Sequence, residues 1–221
     1  MVKRTSATAA ARRIGGGLAV LTLASLAGCI SLGGEVPDAL LTLTPTATVS
    51  AGAASTGRAA EALAVLVPSA SQRLAVTRVP VQTSDSSLAY LEDAVWVDKP
   101  AQLFRNLVAE TIRARTDRLV AGSGELEYAA TTLLSGQLVE MGYDAPSGSA
   151  LVRYDAVLQM PDGTIRTRRF ENSVAGVAAE AATVGEALNR AANSVAVEVA
   201  DWVAAAPRPA PSVPAPAASG G

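Results

Sequence analysis

The chain has no histidine, one cysteine in 221 residues, and aromatic side chains at only 4% of positions. Without histidine, the commonest general base and the commonest metal ligand are both missing. A Ser-His-Asp site, a histidine-bearing zinc protease site and a deaminase site are therefore excluded. The lone Cys29 allows no intramolecular disulfide. After Cys29 no stretch reaches the roughly 18 uninterrupted apolar residues of a spanning helix. Cationic residues are also scarce there. Residues 1–28 hold four of the 18 basic residues and none of the 20 acidic ones, so the remainder has 14 against 20, a formal net charge of −6. Nucleic acid is thereby disfavoured as a partner, because polyanion binding rests on clustered Lys and Arg.

What is present begins with the surroundings of that cysteine. Lys3, Arg4, Arg12 and Arg13 form a basic start, and no acidic residue precedes Glu35. An apolar stretch from Ile14 to Ala27 follows, too short and too glycine-rich for a membrane span. A charged start, a short apolar segment and small residues at a cut describe an export signal. Leu26-Ala27-Gly28-Cys29 resembles the lipobox of bacterial lipoproteins, in which the thiol is acylated, with palmitate among the acyl groups, and the chain is cut just before it. Residues 1–28 are thus expected to be a signal peptide and Cys29 a lipidation site, its thiol consumed by the anchor.

Residues 29–60 are rich in Gly, Ala, Ser and Thr and read as a lipidated N-terminus and tether, with a possible first strand at 39–46, where Leu and Thr alternate. The domain proper is expected at 61–206. Leu63–Pro68 and Ala75–Gln82 are short β-prone runs, and Pro80 demotes the second to an edge or a bulge. Leu88–Trp96 reads as an irregular strand. Ala101–Thr116 is the first helix, with Leu103, Phe104, Leu107, Val108 and Ile112 on one face and Asp98 and Pro100 as start signals. Arg113, Arg115 and Arg118 suit a solvated helix C-terminus.

Strands are expected within Tyr128–Tyr143, Ala150–Met160 and Thr164–Phe170, the last two joined by Pro161-Asp162-Gly163, a strong hairpin signal. Arg166 and Arg168 are read as the outward face of the last strand, with Arg169 on the other. Thr183 and Glu186 match a capping box opening a helix whose stripe is Leu188, Ala191, Ala192, Val195, Val199, Trp202 and Val203. Residues 207–221 hold five prolines and read as a disordered Pro/Ala tail. The expected fold is α+β: a two-layer sandwich of a mostly antiparallel sheet with two amphipathic helices on one face.

The ordered pieces resemble a known family. They are the lipobox, Leu63–Val65, Tyr90–Ile112, Leu133–Met141, the hairpin Ala150–Glu171 and Ala187–Trp202. Together they look like the ABC-type transport auxiliary lipoproteins, the group that includes the paraquat-inducible intermembrane-transport lipoprotein. The resemblance implies a non-catalytic, lipid-anchored subunit facing the periplasm. Its partners would be an ABC transporter and an MCE-type substrate-binding protein, and its cargo phospholipid or another hydrophobic solute. Ile30, where an aspartate would be the usual inner-membrane retention signal, points to the outer membrane. Tyr90, Trp96 and Tyr143 are candidate partner contacts, although core packing is the favoured reading of Trp96 and Trp202, each of which adjoins an apolar helix face. The other readings are direct binding of a hydrophobic ligand and a pilotin-like assembly factor. An enzyme is the weakest, since Glu92-Asp93 and Glu125/Glu127 read as solvated charge, and neither a metal nor a cofactor is expected.

Overall fold

The computed structural model describes residues 39–121, 127 and 129–207, all in the second of two units into which the chain divides after Val36. Eight strands form one sheet: β1 (Leu63–Val65), β2 (Ser69–Ala70), β3 (Arg78–Ser84), β4 (Ser87–Val95), β5 (Val120–Ala121), β6 (Thr132–Asp144), β7 (Ser149–Gln159) and β8 (Ile165–Val174). Helix α1 (Pro100–Arg115) lies between β4 and β5, and α2 (Ala181–Ala204) follows β8.

The long strand β6 organises the sheet. One of its edges pairs with β7 in antiparallel register from Leu133↔Gln159 to Asp144↔Ser149, and β7 pairs in turn with β8. Its other edge takes β1, β2 and β3 one after another, all parallel to it. β5 adds to β1 in parallel and β4 to β3 in antiparallel. The α+β class and the two helices on one face agree with the sequence reading, but the sheet is mixed rather than mostly antiparallel. The reason is the α1 crossover: parallel neighbours need a long connection, usually a helix, and the segments 63–84 and 120–144 are joined through one.

Local chemistry explains the individual elements. Gly163 closes the β7–β8 turn at φ +83°, while the Asp162 carboxylate accepts the Thr164 N–H at 2.8 Å. Pro80 sits at a register shift in β3, so the missing N–H falls at a bulge and not on a free edge. Opposite it, a Cβ on Gly142 would lie 2.5 Å from the Pro80 carbonyl oxygen. β4 bulges between Tyr90 and Val95, where Asp93 takes φ 54°, a conformation that Asp tolerates better than most residues.

A bulge at Val139 in β6 shifts the inward positions from Leu134 and Leu138 to Met141 and Tyr143, so that all four stay buried. These side chains and Val152, Tyr154, Leu158 and Phe170 meet Phe104, Leu107 and Ile112 of α1 and Leu188, Val195, Val199 and Val203 of α2 in one core. Edge-to-face ring pairs mark it, Phe104 with Tyr154 at 5.1 Å and Phe170 with Trp202 at 5.6 Å.

Three further expectations are corrected. α2 opens at Ala181 with Glu180 at the N-cap and no side-chain cap, so Thr183 and Glu186 form no capping box. The preceding turn is held instead by Tyr143, whose hydroxyl donates to the Val177 carbonyl at 2.8 Å. Arg166 and Arg168 point to the helix side, where β8 extends past the helix cover. Their guanidinium groups lie over the rings of Trp202 (5.5 Å) and Phe170 (4.8 Å), and register puts Arg169 on the open face. Arg118 is buried rather than solvated, donating to the Ala206 carbonyl at 2.6 Å beyond the end of α2.

Gly136 in mid-β6 has φ +148°, and a Cβ there would lie 2.0 Å from the Asp155 carbonyl oxygen. Gly136→Ala is expected to cost about 2–3 kcal/mol through backbone strain and a broken β6–β7 ladder. Urea unfolding should show the midpoint falling with little change in slope.

Candidate functional site

Cys29 lies outside the described residues. Of the aromatic candidates, Trp96 is 1% exposed and Tyr143 6%. Tyr90 is half-buried under the Arg78 guanidinium, which sits 4.7 Å above its ring. The three form no common exposed surface: Trp96 and Tyr143 are core residues, as is Trp202. Their apolar neighbours were legible in sequence, but the topology that covers them was not. Glu92 and Asp93 are exposed in the β4 bulge, and Glu127 lies 3.9 Å from Arg105.

The arrangement at the N-terminal end of the described residues is one the sequence reading did not find. Residues 41–49 (LTLTPTATV) run as an extended strap over the helix layer. Leu41 bridges Trp96 in parallel: its N–H donates to the Val95 carbonyl at 2.7 Å, and its carbonyl accepts from Val97 at 2.9 Å. The alternation then works as in a strand, with Leu41, Leu43, Pro45 and Ala47 turned inward and the threonines outward.

Helix α2, not another strand, supplies the strap's main partners. Asn189 and Asn193 stand one turn apart on α2. Asn189 Oδ1 accepts the Thr44 N–H at 2.9 Å, and Asn193 Oδ1 accepts the Thr46 N–H at 2.8 Å and the Thr46 hydroxyl at 3.0 Å. Asn193 Nδ2 donates to the Thr44 carbonyl at 2.9 Å and to the Asn189 carbonyl at 2.8 Å. On α1, Glu110 Oε1 accepts the Val49 N–H at 3.0 Å. Gly185 provides the notch, since a Cβ there would lie 2.6 Å from Leu41 Cδ2. The sequence signal was two asparagines spaced i, i+4 beside a Leu-Thr alternation. Each was visible separately, but neither names the other as its partner.

The opposite face of the sheet carries charge in rows. Arg73 pairs with Glu140, and Arg153 with Glu171; register sets Glu140 beside Arg153. Arg169 donates to both oxygens of Asp155 at 2.6 and 2.7 Å. This hydrogen bonding, with the arginine's charge, holds the Asp155 carboxyl below the usual carboxylate range. A groove of about 280 Å3 opens here, lined by Arg73, Gln82, Leu88, Glu140, Leu151 and Arg153 among others. On the buried face, burial pushes the Tyr154 hydroxyl to a higher pKa than an ordinary tyrosine, and it donates to the Ser135 carbonyl at 2.7 Å. Among the described residues no cluster of three or more carboxylate or thiol ligands could hold a metal ion.

The model of the ABC-type transport auxiliary lipoprotein component matches residues 41–200, from the first strap residue almost to the end of α2. The chain belongs to that family. Two solved structures share the fold. A crystal structure of a Xanthomonas campestris protein of the DUF330 family is 18% identical, with 75% of this chain and 94% of that one covered and a TM-score of 0.60. A crystal structure of an uncharacterized protein is 16% identical, with 65% and 92% covered and a TM-score of 0.56. At such identities the likeness shows the fold alone. A comparison with curated proteins finds no match. This auxiliary lipoprotein is accordingly a membrane-associated component of an ABC-type transport system, and among its described residues no helix is long and apolar enough to cross a membrane.

Asn193→Ala removes five hydrogen bonds made to the strap and to Asn189, at about 1 kcal/mol net each in the folded state. The expected outcome is local release: amide exchange at Thr44 and Thr46 rises at least tenfold, while β6 and β7 amides keep their protection. A second expectation concerns acid. Because the folded pKa of Asp155 is depressed, its contribution is present above the unfolded value near 3.9 and is lost as pH falls through the folded value. Asp155→Asn should therefore flatten the drop in thermal stability below about pH 4, by a small amount, because this pair is largely solvated.

Proposed function

We propose that this auxiliary lipoprotein is held by an acylated Cys29 at the periplasmic face of the outer membrane. There it acts without catalysis, docking the periplasmic MCE-type component of a transporter for phospholipid or another hydrophobic solute. The observation that carries this reading is the strap. A lipobox at Leu26–Cys29 is followed, twelve residues later, by Leu41 bonded into the domain. An adaptor must transmit a fixed position from membrane to partner, and a docked segment shortens the free tether to a fraction of the 29–60 span. Ile30 supports the outer-membrane assignment, and the family match supports the ABC system as the context.

Direct binding of a hydrophobic solute is the weaker reading. The groove on the open face is lined by ion-paired Arg and Glu and is small for a two-chain lipid, while the helix-side face is filled by the core. Crosslinking in native membranes followed by affinity recovery of the acylated chain is expected to yield an MCE-type protein; repeated failure to recover one defeats the docking role. Lipid mass spectrometry of the detergent-extracted protein should find less than one bound phospholipid per chain beyond the covalent acyl groups. Stoichiometric lipid would shift the assignment to carrier.

A further inference from the structure

Most exposed aliphatic side chains of the domain are scattered singly, as on any protein surface, but three of them share one place. Leu40 is 51% exposed, Val97 55% and Val76 39%. The bonding brings their segments side by side. The Leu41–Trp96 bridge sets Leu40 next to the Val95–Val97 stretch, and the Trp96 N–H donates to the Thr77 carbonyl at 2.7 Å, which sets Val76 on the far side of that stretch. Leu41 and Trp96 turn inward, so alternation turns Leu40 and Val97 outward. Arg78 opposes Val95 in the register and stands over Tyr90, and Lys99 is exposed two residues beyond Val97, with exposed Asp98 between them turned to the Lys99 N–H at 2.6 Å. Aliphatic residues flanked by cations and a tyrosine are the composition that settles at a bilayer interface.

We infer that this corner of the domain, bearing Leu40, Val76 and Val97, lies against the lipid surface. The inference rests on Cys29 being the acylated anchor. Leu40 is eleven residues from Cys29, at most about 40 Å of chain at 3.6 Å per residue. A lipid surface suits the corner better than a protein partner, because the acyl chain already holds the bilayer within reach and no shape complementarity is required. The strap then has a second role: by fixing Leu40 beside Val97 it makes the point of attachment and the point of contact one place, and so sets which way the domain faces.

The single native cysteine makes the test direct. In the full acylated chain its thiol is blocked, so Val97→Cys introduces one reactive thiol for an environment-sensitive fluorophore. The comparison variant is Asp162→Cys, in the exposed β7–β8 turn. That turn lies beside the Trp202 end of α2, whereas Leu41 packs on Gly185, seventeen residues or about 26 Å away along the helix at 1.5 Å per residue. Both labelled proteins are reconstituted into phosphatidylethanolamine–phosphatidylglycerol vesicles with and without brominated acyl chains, and their flotation is measured in the same gradient. The expected result is flotation of both, with bromolipid quenching at position 97 at least twice that at position 162. Flotation with equal or absent quenching overturns the orientation and leaves the anchor standing. Failure to float defeats the anchor, and the orientation with it.

Discussion

The structure depends on β6 having two edges used in different ways. Its thirteen residues pair along one side with a single antiparallel partner and along the other with three short parallel strands in series. A backbone so placed satisfies its donors and acceptors on both sides, which a buried central strand requires. The arrangement leaves little room for side chains at two points. At Gly136 the β7 backbone passes where a Cβ would be, and at Gly142 the β3 backbone does. The bulge at Val139 then turns the second half of the strand so that Met141 and Tyr143 continue the inner face begun by Leu134 and Leu138. Without that shift the inner face would acquire Glu140 and lose Met141.

The helix layer follows from this inner face. α1 and α2 cover the one apolar side of the sheet, and α2 is divided along its length. One stripe of alanine, valine and leucine meets the sheet, and a polar pair, Asn189 and Asn193, is turned to the strap. Asparagine suits the task because one amide both accepts and donates, so Asn193 can read an N–H and a carbonyl of the same extended segment as a neighbouring strand would. The strap is thus paired like a β-strand without joining the sheet, apart from the single bridge at Leu41. The strap and the sheet are thereby separate structures: losing the strap would expose Leu43 and the Gly185 notch while every ladder of β6 stayed closed.

What could be read from sequence alone were the features encoded by neighbours. The Asp162-Gly163 turn, the alternation of β7 and the stripes of α1 and α2 are local, and the structure has them close to their expected limits, with only the start of α2 three residues early. What escaped was set by distance along the chain. The parallel pairing of β1, β2 and β3 with β6 joins residues more than sixty apart, and no period of two announces its direction. Arg166 and Arg168 were assigned by polarity to the outward face. An edge strand that outruns its helix cover can place arginine on the inner side, where the guanidinium stacks on Trp202 and Phe170. Thr183 and Glu186 had the letters of a capping box, but the pinned turn at Val177 starts the helix before them. The candidate site fared least well in sequence, because a strap and the asparagines that hold it lie about 145 residues apart.

The strap's energetics give it a particular character. Ordering nine residues costs about 1–2 kcal/mol each, roughly 9–18 in all. Against this, burying Leu41, Leu43 and two smaller side chains contributes about 6–8 kcal/mol at 0.8 per buried methylene and 1.5–3 per large side chain. The hydrogen bonds to Val95, Val97, Asn189, Asn193 and Glu110 add about 1 each, some 6–7 kcal/mol. The two sides nearly cancel. A segment balanced in this way stays docked through the concerted action of its contacts, and no single one of them dominates.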